Sequence, residues 1–215
     1  MSKPAVAFFG FNRPDCTKVV FEAIRRYRPE RLLLVADGLR PAVPTDKLRC
    51  EAVREIMKSV DWECDVKTNF AETNMGCRKR MSSGMDWVFS QVEQAIILED
   101  DCLPCQDFFR FCSEMLVHYR DNPKVMHIAG SNFQAGKVRG DGSYYFSRLV
   151  HIWAWASWRR AWQHYDVAMH SWPQARQENW ISKFLSNPIE REYWSNVFEQ
   201  VYAGMIPIPS LRQQA

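Results

Sequence analysis

Three carboxylates stand side by side where the most hydrophobic run of the chain ends. The run "AIIL" (95–98) is followed at once by Glu99, Asp100 and Asp101. Adjacent carboxylates repel one another unless a positive group holds them together, and Mg²⁺ or Mn²⁺ does this with one or two carboxylates plus water or phosphate. The triplet therefore predicts a metal site. A second interpretation stays open, because acidic residues also favour the positive N-terminus of a following helix without any metal.

A cluster of cations follows a chain break at Asn74 and Gly76. The stretch "CRKR" (77–80) places Arg78, Lys79 and Arg80 at the start of a predicted helix. A helix N-terminus flanked by cations is a ready site for an anion. We expect one of the three side chains to meet phosphate and the others to be ordinary surface charges.

Strands alternate with helical patterns through the first 130 residues and position these groups. Five apolar or alternating runs predict strands, and apolar stripes at helical spacing predict the helices between them. The strands are expected at 5–11, 31–38, 62–70, 95–98 and 125–130. This order predicts an α/β fold with a mostly parallel sheet and helices on both faces, in which ligands bind beyond the carboxyl ends of the strands.

The triplet lies at that edge of the predicted sheet. Because side chains alternate along a strand, Glu99 and Asp101 are expected to point to one side and Asp100 to the other.

Tryptophan dominates the last third of the chain. Seven of the nine tryptophans fall between 153 and 194. Their spacing predicts that Trp155, Trp158 and Trp162 share the buried face of a helix, since large aromatic side chains at helical spacing usually pack inward.

Short motifs, taken in their order along the chain, resemble a known family. These are "FNRP" and "VADG" after the first two strands, "ILEDD" at the triplet, and the later stretches "NMGCRKRMSSGMDWVF", "VMHIAGSNFQ" and "YYFSRLVHIWAWASWRRAW". Over about residues 5 to 204 the chain resembles the nucleotide-diphospho-sugar transferases of the GT-A fold. More narrowly, it resembles a branch related to N-acetylglucosaminyltransferase I and a set of bacterial sugar transferases, some of them labelled hemolytic protein.

The resemblance implies one domain and a division of labour within it. Residues 1–204 would form a single GT-A, Rossmann-like domain with a nucleotide-binding half to about residue 130. The acceptor-side half, 131–204, would be helical and rich in aromatic residues. The activity implied is a metal-dependent glycosyl transfer that inverts the anomeric carbon.

The resemblance also implies roles for the acidic triplet and the cations. Asp101 would bind the Mn²⁺ or Mg²⁺ that bridges the two phosphates of a nucleotide-diphosphate sugar, most simply a UDP-sugar. Glu99 and Asp100 would contact sugar and ribose hydroxyls. Arg78 or Lys79 would meet phosphate.

Polar residues after the first two strands receive roles in the same way, each with a plain structural alternative. Asp37 would accept a hydrogen bond from a uracil-like base, or it simply forms a turn with the next glycine. Asn12 and Arg13 would lie near the base and the diphosphate, or they are a helix cap and a solvated arginine. Trp153 is the candidate for stacking on a sugar ring, and His151 is left without a role.

The end of the chain departs from the family. Relatives of this kind continue with an acidic residue between aromatics that supplies the catalytic base, whereas no Asp or Glu follows Glu199 here. Pro207 and Pro209 prevent a regular helix, so residues 205–215 are expected to form an atypical extended tail. We therefore expect a C-terminal truncation, leave the catalytic residue unassigned, and expect donor binding with poor or no transfer. A binding-only or inactive member of the fold is the alternative.

A second alternative uses different chemistry. Cys102 and Cys105 stand in "CLPC" between a strand and a helix, where a thiol-disulfide redox motif would lie. A reactive thiolate needs positive surroundings, and the neighbouring carboxylates would raise the pKa of both thiols instead. A zinc site lacks a second pair of ligands at suitable spacing.

Charge and composition limit the partners and the compartment. A net charge of +3 without a basic run does not favour a nucleic-acid module. The apolar stretch 5–11 is too short for a signal peptide or a membrane span, so a cytoplasmic protein with reduced thiols and at most peripheral membrane contact is expected. The partners expected are a nucleotide-diphosphate sugar and an unknown glycan or lipid-linked acceptor. The sequence leaves the oligomeric state open.

Overall fold

One six-stranded sheet organises the chain in a computed structural model that describes residues 3–138, 140–148 and 150–205. The strand order is β3-β2-β1-β4-β6-β5. The strands are β1 (Ala5–Gly10), β2 (Arg31–Ala36), β3 (Asp65–Phe70), β4 (Gln94–Glu99), β5 (Ile128–Ala129) and β6 (Trp155–Trp158). The first four strands are parallel, and β6 runs antiparallel to its neighbours β4 and β5. The predicted α/β fold with a mostly parallel sheet is confirmed.

Helices cover both faces of this sheet. The helices are α1 (Pro14–Tyr27), α2 (Asp46–Lys58), α3 (Cys77–Gln91), α4 (Gln106–His118), α5 (Arg159–Trp162), α6 (Trp172–Gln177), α7 (Trp180–Phe184) and α8 (Pro188–Tyr202). Helices α1, α2 and α4 pack on one face, and α3 packs on the other together with Trp162 of α5.

The strand sequences explain why the central strands are buried on both sides. In β1, Val6 and Phe8 point to the face covered by α1, whereas Ala7 and Phe9 point to the face covered by α3. Successive side chains of a strand point to opposite faces, so a strand covered on both faces must be apolar at every position. The continuous runs of β1, β2 and β4 meet this requirement.

The direction of the chain along the sheet reverses between β1 and β4. From β1 the chain passes through α1 to β2 on one side, and later returns through α3 to β4 on the other side. Phe9 of β1 lies opposite Glu99 of β4, and Gly10 lies opposite Ala36 of β2. The segments that follow these three strands therefore meet at one edge of the sheet, beside the point of reversal where open α/β sheets bind ligands.

The prediction that Trp155, Trp158 and Trp162 share one face of a helix is wrong for the first two. Trp155 and Trp158 are the first and last residues of β6, which pairs with Ile97 and Gln94 of β4. The two rings are buried on opposite faces of the sheet, and only Trp162 lies in a helix, the short α5. Pairing with β4 satisfies backbone groups that would otherwise be exposed on its open edge, and this tertiary gain overrides the helical spacing.

Other expectations are met in part. The strand predicted over 125–130 is reduced to Ile128–Ala129. Since β6 lies inside the sheet between β4 and β5, the predicted acceptor-side half contributes to the same sheet as the nucleotide-binding half. The tail predicted over 205–215 lies outside the described residues from 206 onward.

Within the part of the chain that the structure describes, every helix is too short or too polar to cross a membrane.

His127, just before β5, makes the stability of the fold depend on pH. Its ring stacks on Trp155 with centroids 4.8 Å apart, and its Nε2 lies 2.9 Å from the His151 carbonyl oxygen, to which it donates. Burial lowers the pKa of His127 from 6.5 to about 4, although this hydrogen bond acts in the opposite direction. At a pH between these two pKa values, His127 is therefore protonated in the unfolded chain and neutral in the folded chain.

We expect this histidine to remove about 2 kcal/mol of stability between about pH 7 and about pH 5. The contribution is fully present above the unfolded pKa and is lost as the pH falls towards the folded one. Urea unfolding at both pH values should show this loss in the wild type and not in His127→Gln, which keeps an N–H donor. Equal losses in the two proteins would assign the pH dependence to other groups.

Candidate functional site

The acidic triplet folds around an arginine that follows β1. The chain turns directly after β4, where the Cys102 N–H donates to the Glu99 carbonyl at 3.0 Å. Because of this turn, Asp100 and Asp101 face the same group, and the expectation that they point to opposite sides is wrong. The guanidinium of Arg13 donates through Nη1 to Oδ2 of Asp101 at 3.0 Å and through Nη2 to Oδ1 of Asp100. Arg13 is the positive group that holds these carboxylates together.

Burial makes the Asp100 pair the stronger of the two. Asp100 is 2% exposed, whereas the side chain of Asp101 is 25% exposed. Burial raises the pKa of Asp100, and the charge and hydrogen bond of Arg13 act against this rise. Burial alone would lower the pKa of Arg13, but the two carboxylates outweigh it and raise this pKa. The Phe11 N–H adds a third contact, 3.4 Å from Oδ2 of Asp100.

A second buried carboxylate, absent from the sequence predictions, holds Asn12. Asp46, the first residue of α2, is 1% exposed. It accepts from Nδ2 of Asn12 at 2.8 Å and from Nε and Nη2 of Arg40 at 2.6 and 3.0 Å. The Arg40 guanidinium holds the pKa of Asp46 well below its usual range. The partners of Asp46 lie 6 and 34 residues away, so no local pattern signals this contact.

Asp37 binds its own chain, as the turn-forming interpretation expects. One carboxylate oxygen accepts from the N–H groups of Gly38 and Met75 at 2.8 and 2.9 Å. The other accepts from Nδ2 of Asn74 at 3.0 Å and from the Gly76 N–H at 3.2 Å. Any contact between Asp37 and a nucleotide base would have to replace one of these four hydrogen bonds.

The three cations of "CRKR" have three different environments. Arg78 donates to the Val167 carbonyl, which ties α3 to the segment before α6. Lys79 lines a pocket of about 380 Å³ with Gly76, Arg78 and Ser82. Arg80 was expected to be a phosphate ligand or a surface charge, but it is buried, and it donates to the backbone and side-chain oxygens of Asn69. Burial lowers the pKa of Arg80 while Asp37 raises it. Arg78 and Lys79 remain the candidates for phosphate.

Backbone contacts place Trp153 near the triplet. The Ser131 hydroxyl donates to the Trp153 carbonyl at 2.9 Å, and Trp153 is 46% exposed. The backbone of the next residue, Ala154, hydrogen-bonds the thiol of Cys102, which directly follows the triplet. The ring of His151, left without a role, packs against Phe133 at 4.9 Å.

The first thiol of "CLPC" is poorly suited to redox chemistry. Cys102 is buried, and its burial together with the charges of Glu99 and Asp101 raises the pKa of its thiol to about 12. Cys105 is exposed at the N-terminus of α4. A thiol that stays protonated near neutral pH is a weak nucleophile.

We expect Cys102→Ser combined with Cys105→Ser to leave nucleoside diphosphate binding within about twofold of wild type, since neither thiol acts in the proposed chemistry. Calorimetry checks the affinity, and an insulin-reduction assay checks the alternative. Disulfide reduction by the wild type that disappears in the double variant would support the redox interpretation.

The donor set at the triplet fits a metal that shares its ligands with a substrate. The described residues contain no group of three or more His, Cys, Asp or Glu side chains arranged to hold a metal ion. Mg²⁺ and Mn²⁺ are, however, commonly held by one or two carboxylates plus substrate phosphates and water. Asp101, with Asp100 beside it, supplies hard oxygen ligands of this kind. Arg13 already occupies the position between these carboxylates, so a metal ion would have to share or replace its contacts.

Comparisons with known proteins show only distant likeness. No family model matches the chain, and no curated protein matches it. One similar structure is the mannosyltransferase PcManGT from Pyrobaculum calidifontis in complex with GDP-Man and Mn²⁺, at 13% identity and a TM-score of 0.42 over 60% of this chain. Another is 4-diphosphocytidyl-2C-methyl-D-erythritol synthase from Anaerococcus prevotii, at 9% identity and a TM-score of 0.44 over 74% of this chain and 71% of that one. The present chain spans 35% of the mannosyltransferase. Similarities this low do not identify a ligand, and the relation to N-acetylglucosaminyltransferase I stays a prediction.

Proposed function

We propose that this chain binds a nucleotide-diphosphate sugar, with UDP as the preferred nucleotide, together with Mn²⁺ or Mg²⁺. The proposed reaction class is transfer of the sugar, with inversion of the anomeric carbon, to a glycan or lipid-linked acceptor. Turnover by this chain is expected to be poor or absent, because none of its residues is assigned as the catalytic base. Asp101 is the proposed metal ligand, and Glu99 and Asp100 are the proposed contacts to sugar and ribose hydroxyls. Arg78 and Lys79 are proposed to meet phosphate, and Trp153 to stack on a sugar ring.

One observation carries the proposal. The Asp100–Asp101 turn meets Arg13 where the direction of the chain along the sheet reverses, beyond the carboxyl ends of β1 and β4. Ligands of open α/β sheets bind at such a reversal. A diphosphate ligand brings anionic oxygens that suit a guanidinium, and its metal suits carboxylates. The two kinds of protein group needed are therefore adjacent at the expected place.

Arg13 has a defined part in this proposal. Its side chain is 41% exposed, so its guanidinium is accessible to a ligand while it holds both carboxylates. The planar guanidinium pairs with phosphate as well as with carboxylate, and it can pass from one partner to the other. A metal bound at Asp101 would stabilise the negative charge that grows on the leaving diphosphate. Arg13 would then stabilise the same charge from the side of β1.

The test is the effect of metal on nucleoside diphosphate binding. We expect UDP to bind at least about tenfold more tightly with Mn²⁺ than with EDTA, and Asp101→Asn to remove that gain. Isothermal titration calorimetry of UDP, GDP and CDP, with and without Mn²⁺, measures both effects. Asp107→Asn is the matched control, because its carboxylate is exposed in the first turn of α4 and pairs with Arg110 one helical turn away.

Equal UDP affinity with EDTA and with Mn²⁺ would contradict the metal site. Release of UDP from a UDP-sugar, followed by chromatography, separates a transferase from a binding-only protein. Metal-dependent UDP binding without turnover of any UDP-sugar would support the binding-only alternative.

A further inference from the structure

The last three helices enclose a small pocket to which the proposed function assigns no role. Helices α6, α7 and α8 surround a space of about 150 Å³. Its wall includes the side chains of Trp172, Arg176, Asn179, Trp180, Ser195 and Glu199. A space of this size admits one small ring, since pockets for drug-sized ligands start at about 300 Å³.

The pocket wall has two aromatic sides. Trp172 packs on Phe198 of α8, with ring centroids 5.2 Å apart. Trp180 stacks on Phe184 at 5.0 Å and is nevertheless 41% exposed. Trp180 is therefore a rigid, partly exposed aromatic surface, which suits stacking against the C–H face of a sugar ring.

The polar groups of the wall are arranged without a net charge. Arg176 of α6 donates through Nη1 to Oε1 of Glu199 of α8 at 2.6 Å. Ser195 precedes Glu199 by four residues, so the two side chains lie on the same side of α8. Asn179 adds an amide at the turn between α6 and α7, where its backbone is left-handed with φ of 51°. This mixture of donors and acceptors suits hydroxyl groups better than an anion or a purely apolar ligand.

A buried N–H group of the pocket wall lacks an acceptor. Trp172 is 7% exposed, and its Nε1 has no hydrogen-bond partner in the part of the chain described here. A buried donor without an acceptor is costly and uncommon in folded proteins. This nitrogen has an exposed area below 1 Å², so a ligand oxygen reaches it only if the Trp172 ring turns toward the pocket.

We propose that the pocket between α6, α7 and α8 binds one uncharged sugar ring of a glycan. Its assignment to the acceptor of the reaction rests on the proposed function. The aromatic sides receive the apolar face of the ring, and Glu199, Arg176 and Ser195 receive its hydroxyls. The pairing of Arg176 with Glu199 cancels the charge of the wall, so phosphorylated or carboxylated sugars are disfavoured.

Saturation-transfer NMR with single sugars tests the pocket apart from the nucleotide site. Glucose, galactose, mannose and N-acetylglucosamine are titrated separately against the full chain in EDTA without nucleotide. We expect saturable binding of at least one sugar in the millimolar range, and about tenfold weaker binding in Trp180→Ala and in Glu199→Gln. Tyr165→Ala is the matched control, because Tyr165 is 40% exposed, stacks on Trp162 with ring centroids 4.3 Å apart and lies outside the pocket.

The variants are suited to this test because neither removes a core contact. Trp180 is 41% exposed and lies outside the buried core, and the Arg176–Glu199 pair has side-chain exposures of 58% and 39%. Absence of saturable binding by all four sugars, or equal binding by Trp180→Ala and wild type, would overturn the inference. Sugar binding that is lost in Trp153→Ala and kept in Trp180→Ala would assign the sugar to the region of the triplet and would also overturn the inference.

The two proposals fail separately. Metal-dependent UDP binding without sugar binding overturns the pocket alone. Sugar binding that depends on Trp180 and Glu199, in a chain that binds no nucleoside diphosphate, supports the pocket and overturns the transferase.

Discussion

Replacing Arg13 with glutamine is expected to lower the free energy of unfolding by about 2–3 kcal/mol. The substitution leaves the Asp100 carboxylate buried without its cation, and breaking a buried ion pair on one side costs about 3–5 kcal/mol. The arginine side chain is 41% exposed, so solvent screening reduces this cost. Asp101 is more exposed than Asp100 and should contribute the smaller share. Urea unfolding at neutral pH measures the change.

Two further variants separate charge from shape. Arg13→Lys keeps the charge but loses the fork that spans two carboxylates, so it should recover part of the stability. Arg13→Gln combined with Asp100→Asn removes both charges and should be more stable than Arg13→Gln alone. The cost in the single variant arises mainly from the unpaired carboxylate, and a double-mutant cycle measures this coupling.

An exposed ion pair provides the control. Arg31 of β2 and Asp65 of the edge strand β3 have side-chain exposures of 46% and 47%. Arg31→Gln should change the free energy of unfolding by less than about 1 kcal/mol. If Arg13→Gln costs no more than Arg31→Gln, the Arg13 contacts contribute no more than a surface ion pair.

The sheet was predictable because its signal is local. The strands β1, β2 and β4 are continuous apolar runs, and α1 to α4 have apolar stripes, with a start signal such as Pro14 at the first turn of α1. The triplet was also recognisable, since "ILEDD" ends such a run. The geometry of the triplet was not predictable, because the chain turns after Glu99. The side chains of Asp100 and Asp101 therefore do not alternate as they would along a strand.

The contacts that complete the site lie far apart in the sequence. Arg13 and Asp100 are separated by 87 residues, and no periodicity connects them. Strand β6 was mistaken for a helix for the same reason, since its partner β4 lies about 60 residues earlier along the printed sequence. Such pairings depend on the assembled sheet and leave no short-range pattern.

Arg80 is the residue for which a local signal was overlooked. It stands four and eight residues before Gly84 and Val88, which are buried on the same face of α3. Residues at this spacing share one side of a helix. The spacing of Arg80 therefore predicts burial, whereas its position within a cluster of cations favoured the surface.

Asp37→Asn is expected to lower the free energy of unfolding by about 3 kcal/mol, through loss of the loop that precedes α3. The carboxylate of Asp37 receives two N–H groups on each of its oxygens, from residues 38, 74, 75 and 76. An asparagine has one oxygen and one NH₂ group, so in either orientation two of these donors face another donor. Each hydrogen bond lost to a charged acceptor costs about 1.5–3 kcal/mol.

The same substitution also weakens the support of a buried cation. The charge of Asp37 acts on Arg80, whose Nε is buried without a hydrogen-bond partner among the described residues. Removing that charge increases the cost of keeping Arg80 buried. Asp65→Asn, on the exposed edge strand β3, is the control and should change stability by less than about 1 kcal/mol.

Amide hydrogen exchange and nucleotide binding together decide what Asp37 does. If Asp37 anchors the loop, Asp37→Asn should speed amide exchange at Met75 and Gly76. The substitution should also lower the affinity for UDP, GDP and CDP by a similar factor. The reason is that a displaced loop would disturb the Arg78–Lys79 region for every nucleotide alike. A variant that keeps wild-type stability and slow exchange but loses its preference for UDP over CDP would contradict the anchoring role. That outcome would show that Asp37 exchanges one of its backbone contacts for the base, as the resemblance to sugar transferases implies.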